Sequence, residues 1–461
     1  MGRVLPLLLA LCLLLGLTAC AQGGEDKKFD ELVYGSRLES PASGEGAPQG
    51  LHGELTISLP KSDSTLELWA ARFQRANPGV KVHIKAVSPS CPDGGAGDWV
   101  TEYIQQTVVD LGSGSAADIV DLRLVSFYKY AKSGLFEDLY PYMDADPAFD
   151  RGCLYANILE AVESGTGALY ALPPFFEYDT FVLNEHILYS LDVDIDEAYP
   201  DGLDYRDIIG LYWQARDAGV IDQACCFAKG QNKLFFDDFV LPGYLDDKAL
   251  EARFGTPEYA QYLSMMDALP FEKKAAATGT YEFNWPMFGM SDYFCQRYPV
   301  KIDCIGTMDM KGGCGATKVQ FYKGEGGKVL FSPRNLLAIT SGSQNKGLAW
   351  EFLKFMVQDR DFPAAVNFSD TDEVQAYGVP YDMCLPVNRN NFLALSTAAA
   401  GKHYTEKYDA YNQTLNTIMP GNAGLIHSLK DILSAFYDNH LISAEECGRQ
   451  MQERADLYLQ E

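Results

Sequence analysis

Histidine is scarce in this 461-residue chain, six in all. No two stand four apart, which argues against a pair of metal ligands on one helix face. GxSxG and HExxH are missing, and with them the common hydrolase and zincin signatures. The nearest approach to a phosphate loop, "GEGGKV" at Gly324 to Val329, lacks the Ser or Thr after the Lys and the upstream Gly. There is no CxxC, hence no zinc-ribbon or thioredoxin-type motif. Basic residues are in deficit, 37 Lys and Arg against 63 Asp and Glu, for a formal net charge of -26. That balance argues against nucleic acid, because phosphate binding needs a basic face. It argues equally against an anionic ligand drawn in by long-range attraction, and fits a neutral or cationic one. Long apolar runs are also missing. The longest, Leu5 to Leu17 "LPLLLALCLLLGL", falls short of a comfortable membrane span of ~20 residues.

What remains is ordinary for a soluble globular protein, 47% hydrophobic and 22% charged. The length allows two or more domains. Arg3 and the apolar run read as a secretory signal. It ends in Leu17-Thr18-Ala19-Cys20, which resembles a bacterial lipobox, so Cys20 is the expected lipidation site. A signal peptide over 1–20 and a flexible tether over 21–53, rich in Gly, Ser, Pro, Glu and Asp, are expected. Beyond Cys12 and Cys20 nine cysteines follow, an odd number that cannot all pair within one chain. The vicinal Cys225-Cys226 reads as two small buried hydrophobes.

Periodicity then orders the chain. Leu55–Leu59 and Val80–Ala86 alternate as strands. Between them Leu66, Trp69, Ala70 and Phe73 mark one helix face, with Ser64 and Glu67 at capping-box spacing and Asn77-Pro78-Gly79 as the stop. A strand, helix, strand unit predicts parallel pairing and a core role for Trp69. Gly112 to Ala117, "GSGSAA", matches GxGxxA, but it follows a helix and leads into strand Ile119–Leu122; it is a helix-to-strand turn and no dinucleotide fingerprint. Further helices are predicted over Tyr205–Ala218, Asn345–Val357, Leu425–Phe436 and Ser443–Leu459, the last with Ser443 and Glu446 as a capping box. The stretch from about 221 to 300 mixes short helices with aromatic-rich loops and does not order from its pattern.

The segments occur in a familiar sequence. "LTISLPKSDSTLELWAARFQRANPGVKVHI", "SGSAADIVDL", "AKSGLFEDLYPYM", "GALYALPPFFEYDTFVLNEHIL", "SGSQNKGLAWEFLKFMVQ", "YGVPYDMCLPVNRNNF" and the closing "SAEECGRQMQERADLYLQE" follow the order of extracellular solute-binding proteins of the maltose-binding-like cluster, which serve ABC importers. The chain resembles that family from Leu55 to Glu461, except about 200 to 325, where "FGMSDYF" is the one match. Leu183 stands where the family often has Tyr. The resemblance implies an α/β, two-lobed periplasmic-binding-protein fold, each lobe a mostly parallel sheet flanked by helices. Lobe 1 is expected over 54–172 and 328–388, lobe 2 over 173–327 and 389–461, with hinges near Leu172–Phe175 and Val329–Phe331. It implies an extracytoplasmic, lipid-anchored, monomeric receptor without cofactor or catalysis, which passes a small solute, a saccharide above all, to the permease subunits of an ABC importer.

Ligands of open parallel sheets lie beyond strand carboxyl ends and at domain interfaces. That rule nominates Lys61, Ser62 and Asp63 after the first strand, Arg123 after "DIVDL", and Arg334 and Asn335 at the return crossing. At the crossover after Pro173-Pro174, Phe175, Phe176 and Tyr178 are candidate stacking platforms for a sugar face, with Glu177 and Asp179 as hydroxyl acceptors. Trp285 and Tyr293 are the candidates opposite, and His427 a weaker one. Against each stands a plainer role in the core, at a helix cap or on a solvated rim. Rival readings of the whole are a secreted glycoside hydrolase, an adhesion or structural lipoprotein, and a receptor for a cationic ligand such as a polyamine or basic peptide.

Overall fold

Leu55, Ile57 and Leu59 alternate along strand His52–Lys61 and are fully buried. This strand pairs in parallel with Gly79–Ser88 on one side and Ile119–Asp121 on the other. Leu337–Ile339 adds antiparallel to Ile119–Asp121 and completes the sheet. The computed structural model describes residues 50–88, 99–125, 127–131, 133–223, 225–228, 233–246, 248–271, 293–300, 317–323, 327–358, 384–418 and 423–460.

Helix Ser64–Ala76 covers the first sheet with Leu66, Trp69, Ala70 and Phe73, the face predicted from spacing. Its N-cap is Asp63, whose Oδ1 accepts from Thr65 N at 3.0 Å and Leu66 N at 3.1 Å. The cap therefore sits one residue before the predicted Ser64. The expected turn after Trp99–Ser113 is present, and the glycines lead into Ile119–Asp121. Helix Lys346–Gln358 packs on the same core through Trp350, Phe352 and Leu353. At the other end of the chain Glu446 N donates to Ser443 Oγ at 3.2 Å, as its capping spacing predicts.

A second sheet has the order Thr317–Gln320, Asp179–Asn184, Tyr293–Pro299, Cys226–Ala228. Mostly parallel pairing, as expected, describes the first sheet well. In the second, Asp179–Asn184 is antiparallel to both neighbours, and Cys226–Ala228 alone runs parallel to Tyr293–Pro299. The reason is topological. The first strand of the second sheet starts just after Tyr178, and Tyr293–Pro299 ends beside it at Val300, whose N donates to Tyr178 O at 2.7 Å. The start of one strand and the end of the other lie side by side, so the two run in opposite directions.

Two apolar cores result. The first holds the first sheet, helices Ser64–Ala76 and Lys346–Gln358, and the aromatics Tyr155, Phe176, Tyr178, Phe331 and Tyr411. The second holds Phe181, Tyr205, Tyr212, Phe227, Phe236, Tyr259, Tyr262 and the closing helices Ala423–Tyr437 and Ala444–Gln460. Residues 389–415, assigned to the second lobe from sequence, place Phe392, Leu395, Tyr408, Tyr411 and Leu415 in the first core. A short four-stranded sheet of order Leu385–Pro386, Phe175–Glu177, Leu330–Pro333, Thr417–Ile418 gives Phe175, Phe176, Phe331 and Leu385 to the first core and Leu330 to the second. Both predicted hinge segments contribute strands to it.

Of the described cysteines, Cys153, Cys295, Cys384 and Cys447 are buried. Cys225 is buried as expected, while Cys226 is half-buried. Cys20 lies outside the described residues. Among those residues no helix is long and apolar enough to cross a membrane.

Candidate functional site

The crossover strand Phe175–Glu177 is bonded on both sides, to Leu385–Pro386 and to Leu330–Pro333. Both of its first two aromatics are buried. Phe175 is 3% exposed and Phe176 0%. Phe175 lies 6.3 Å from the ring of Trp69, and Phe176 meets Tyr155 edge-on at 5.9 Å and Phe331 at 6.0 Å. Tyr178 follows, 4.9 Å from Tyr411. The expected stacking platform is therefore an aromatic weld inside the first core. Once both edges of the strand are paired and Trp69, Tyr155 and Phe331 close over it, no ring face of Phe175 or Phe176 is left for a solute.

A cavity of about 220 Å³ opens where this strand hands over to the second sheet. Glu177, Tyr178 and Asp179 line it from the crossover. Asp238 and Leu241 come from helix Asp237–Tyr244, Arg297 from strand Tyr293–Pro299, Ser332 from the return strand and Ile426 from helix Ala423–Tyr437. Three of the sequence candidates thus meet at one site. Phe175, Phe176, Lys61, Ser62, Asp63, Arg123, Arg334 and Asn335 do not line it.

Arg297 organises the cavity's charge. Its Nε pairs with Asp179, its Nη2 lies 2.5 Å from Asp238 Oδ2, and its Nη1 donates to Phe235 O at 3.2 Å. The guanidinium also sits over the Phe239 ring, 4.8 Å from its centroid. Burial pushes the Asp179 carboxyl above its ordinary range even against the pull of Arg297. Glu177 stands apart from this knot: its Oε2 accepts from the Cys384 thiol at 3.5 Å. The Tyr178 hydroxyl is buried with no hydrogen-bond partner among the described residues. With carboxylates and a guanidinium around about 220 Å³ of space, the cavity can bind a small polar solute. Among the described residues no group of three or more His, Cys, Asp or Glu is placed to hold a metal ion.

The remaining candidates gather in a second cluster at the carboxyl ends of the first sheet. Asp121, fully buried, accepts from Arg123 N at 3.1 Å, Leu336 N at 3.0 Å and Asn335 Nδ2 at 3.0 Å. Arg123 Nε lies 3.2 Å from Asp121 Oδ2, and its Nη1 donates to Arg334 O at 2.7 Å. Arg334 reaches Asp63 Oδ2 at 3.4 Å, so the helix cap and the return crossing share a charge pair. Lys61 and Ser62 are exposed beside this cluster. Arg123 and Asn335 thus hold the Arg334–Leu336 segment against Asp121, and Asp63 ties its helix start to Arg334. Trp285 and the side chains of Tyr293 and His427 lie outside the described residues.

Sequence reasoning missed Arg297 and Asp238. Arg297 is the one basic residue in "YFCQRYP", an otherwise aromatic strand, and a lone charge in such a run is a usable signal. Asp238 follows the paired Phe235-Phe236 at a helix start.

No family model matches the chain. Solved structures share its fold at low identity. An ABC substrate-binding protein from Listeria monocytogenes in complex with cycloalternan is 15% identical, with a TM-score of 0.57, covering 89% of this chain and 100% of that one. The sugar-binding protein MalE from Xanthomonas citri is 13% identical, with a TM-score of 0.60 over 88% of this chain and 98% of that one. The GacH receptor of Streptomyces glaucescens, solved unliganded and with acarbose, is 15% identical with a TM-score of 0.54, covering 89% and 99% respectively. The two-lobed, mixed α/β architecture expected from sequence is the fold of these proteins.

Proposed function

We propose that this chain is the solute receptor of an ABC importer, a binding protein and not an enzyme. It is exported, anchored outside the cytoplasmic membrane by lipid on Cys20, and monomeric. It captures a small polar solute, a saccharide above all, between two lobes and presents it to permease subunits. The observation that carries this reading is the cavity at the seam, lined from both sides by the strand that crosses between the cores and by the strand that returns. We place the lobes by core membership: lobe 1 as about 51–178, 331–358 and 384–418, lobe 2 as about 179–299 and 423–460. Of the neighbours named above, one is a sugar-binding protein by name and two were solved in complex with cycloalternan or acarbose, which supports the same class here.

A solute bound at such a seam favours closure because closure lets both lobes touch it. Thermal shift against a panel of mono- and oligosaccharides tests the reading. A true ligand raises the melting temperature by mass action, and small-angle scattering then shows a smaller radius of gyration at saturation. A panel with no shift and an unchanged radius would count against it.

A further inference from the structure

The cavity at the seam holds three carboxylates, Glu177, Asp179 and Asp238, and one cation, Arg297. Arg297 is divided between Asp179 and Asp238. Glu177 has no cationic partner among the described residues, and its neighbour is the weak thiol donor of Cys384 at 3.5 Å. The site is therefore two charges short of neutral, and the shortfall centres on a half-buried carboxylate. Filling the cavity with a neutral polyol would strip water from Glu177 and return only uncharged donors. Burying a carboxylate without a counter-charge is costly. An ammonium group returns the charge together with three N–H donors, and charge-assisted hydrogen bonds of this kind are roughly twice as strong as neutral ones.

We propose that Glu177 seats a primary ammonium group of the solute, so that the receptor takes an amine-bearing small molecule, an amino sugar in the form that its fold favours. This inference rests on the receptor reading above. It also accounts for the buried positions of Phe175 and Phe176, since a solute held by charge does not need their faces.

Calorimetric titration of the mature chain with glucosamine and a chitosan-type oligosaccharide, beside glucose and N-acetylglucosamine as neutral twins and spermidine as an amine without a sugar, tests it. The expected result is amine-bearing saccharides bound at least about tenfold tighter than their twins, the scale of one charge-assisted contact. Glu177→Gln, near-isosteric with the native side chain, should abolish that preference while leaving the melting temperature without ligand unchanged. Equal or tighter binding of the neutral twins, or a preference that survives Glu177→Gln, overturns the ammonium seat and leaves the receptor reading standing. Binding of spermidine alone, lost in Glu177→Gln, keeps the seat and overturns the saccharide assignment. Failure of every probe overturns both.

Discussion

The hydroxyl of Tyr262 donates to Asp237 Oδ1 at 2.6 Å, with both residues buried beside the closing helices. Desolvation raises the Asp237 carboxyl to about 7, against the opposing hydrogen bond from Tyr262. In the unfolded chain the same group titrates near ~3.9. Between these values the native state keeps a proton that the unfolded state has lost. The stability contributed by the neutral carboxyl is therefore full below pH ~4 and is lost as pH rises towards ~7. Asp237→Asn removes the titration, so urea unfolding of variant and wild type should diverge with pH. The variant is expected to gain on wild type by up to about 4 kcal/mol from pH 4 to 7.5, at ~1.4 kcal/mol per pKa unit. A difference that stays flat over this range would contradict the buried neutral carboxyl.

Asp121 is the acceptor on which the second polar cluster converges. Asp121→Ala leaves the Asn335 amide, the Leu336 N–H and the Arg123 guanidinium without their shared partner. Truncating one member of a buried, hydrogen-bonded charge pair costs about 3 kcal/mol or more. Chemical denaturation of Asp121→Ala should show that loss, and Asp121→Asn, which keeps the acceptor oxygen, a smaller one. Equal stability of Asp121→Ala and wild type would show that the cluster holds nothing together.

Tyr178 presents the opposite case, a buried hydroxyl without a partner among the described residues. An unsatisfied buried polar group costs about 1–3 kcal/mol. Tyr178→Phe keeps the ring against Tyr411 and Phe176 and removes the oxygen, so it is expected to be as stable as wild type or more so. A melting temperature lowered by several degrees would show that the hydroxyl is bonded in solution.

Cys20→Ala tests the anchor. The expected outcome is release from the membrane fraction or accumulation of uncleaved precursor. A variant that fractionates and migrates as wild type does would dismiss Cys20 as a lipid site.

The regular elements of the first core were legible because their patterns are one-sided: Leu55, Ile57 and Leu59 on a strand, and Leu66, Trp69, Ala70 and Phe73 on a helix. Of the three aromatics expected to line a cleft at the crossover, Phe175 and Phe176 are buried in the first core and Tyr178 lines the cavity. Sequence shows that Phe175 and Phe176 sit between a proline pair and a strand. It does not show that Leu385–Pro386 and Leu330–Pro333 return to flank them, because those pairings join residues far apart in the chain. Asp63 was nominated for a ligand and serves as a cap, since one carboxylate at the end of a strand can do either and the choice is made by Arg334, far away in the chain. Arg297 and Asp238 escaped notice because the stretch from about 221 to 300 has no clean period, its strands being short and its helices studded with aromatics.

The short sheet around the crossover strand has a consequence for how the molecule comes to exist. Phe176 waits for Pro333 on one edge of its strand and for Leu385, about two hundred positions later, on the other, and Leu330 waits for Thr417. Closing loops of that length is slow, because their entropy is lost before any contact compensates for it. The seam must then be among the last parts to assemble, and neither core is finished until nearly the whole chain has emerged. The solute site is built on that seam, so a chain truncated after Gln358 would keep most of the residues that line it and lack Ile426 and the two flanking strands, Leu385–Pro386 and Thr417–Ile418, that hold the crossover in place.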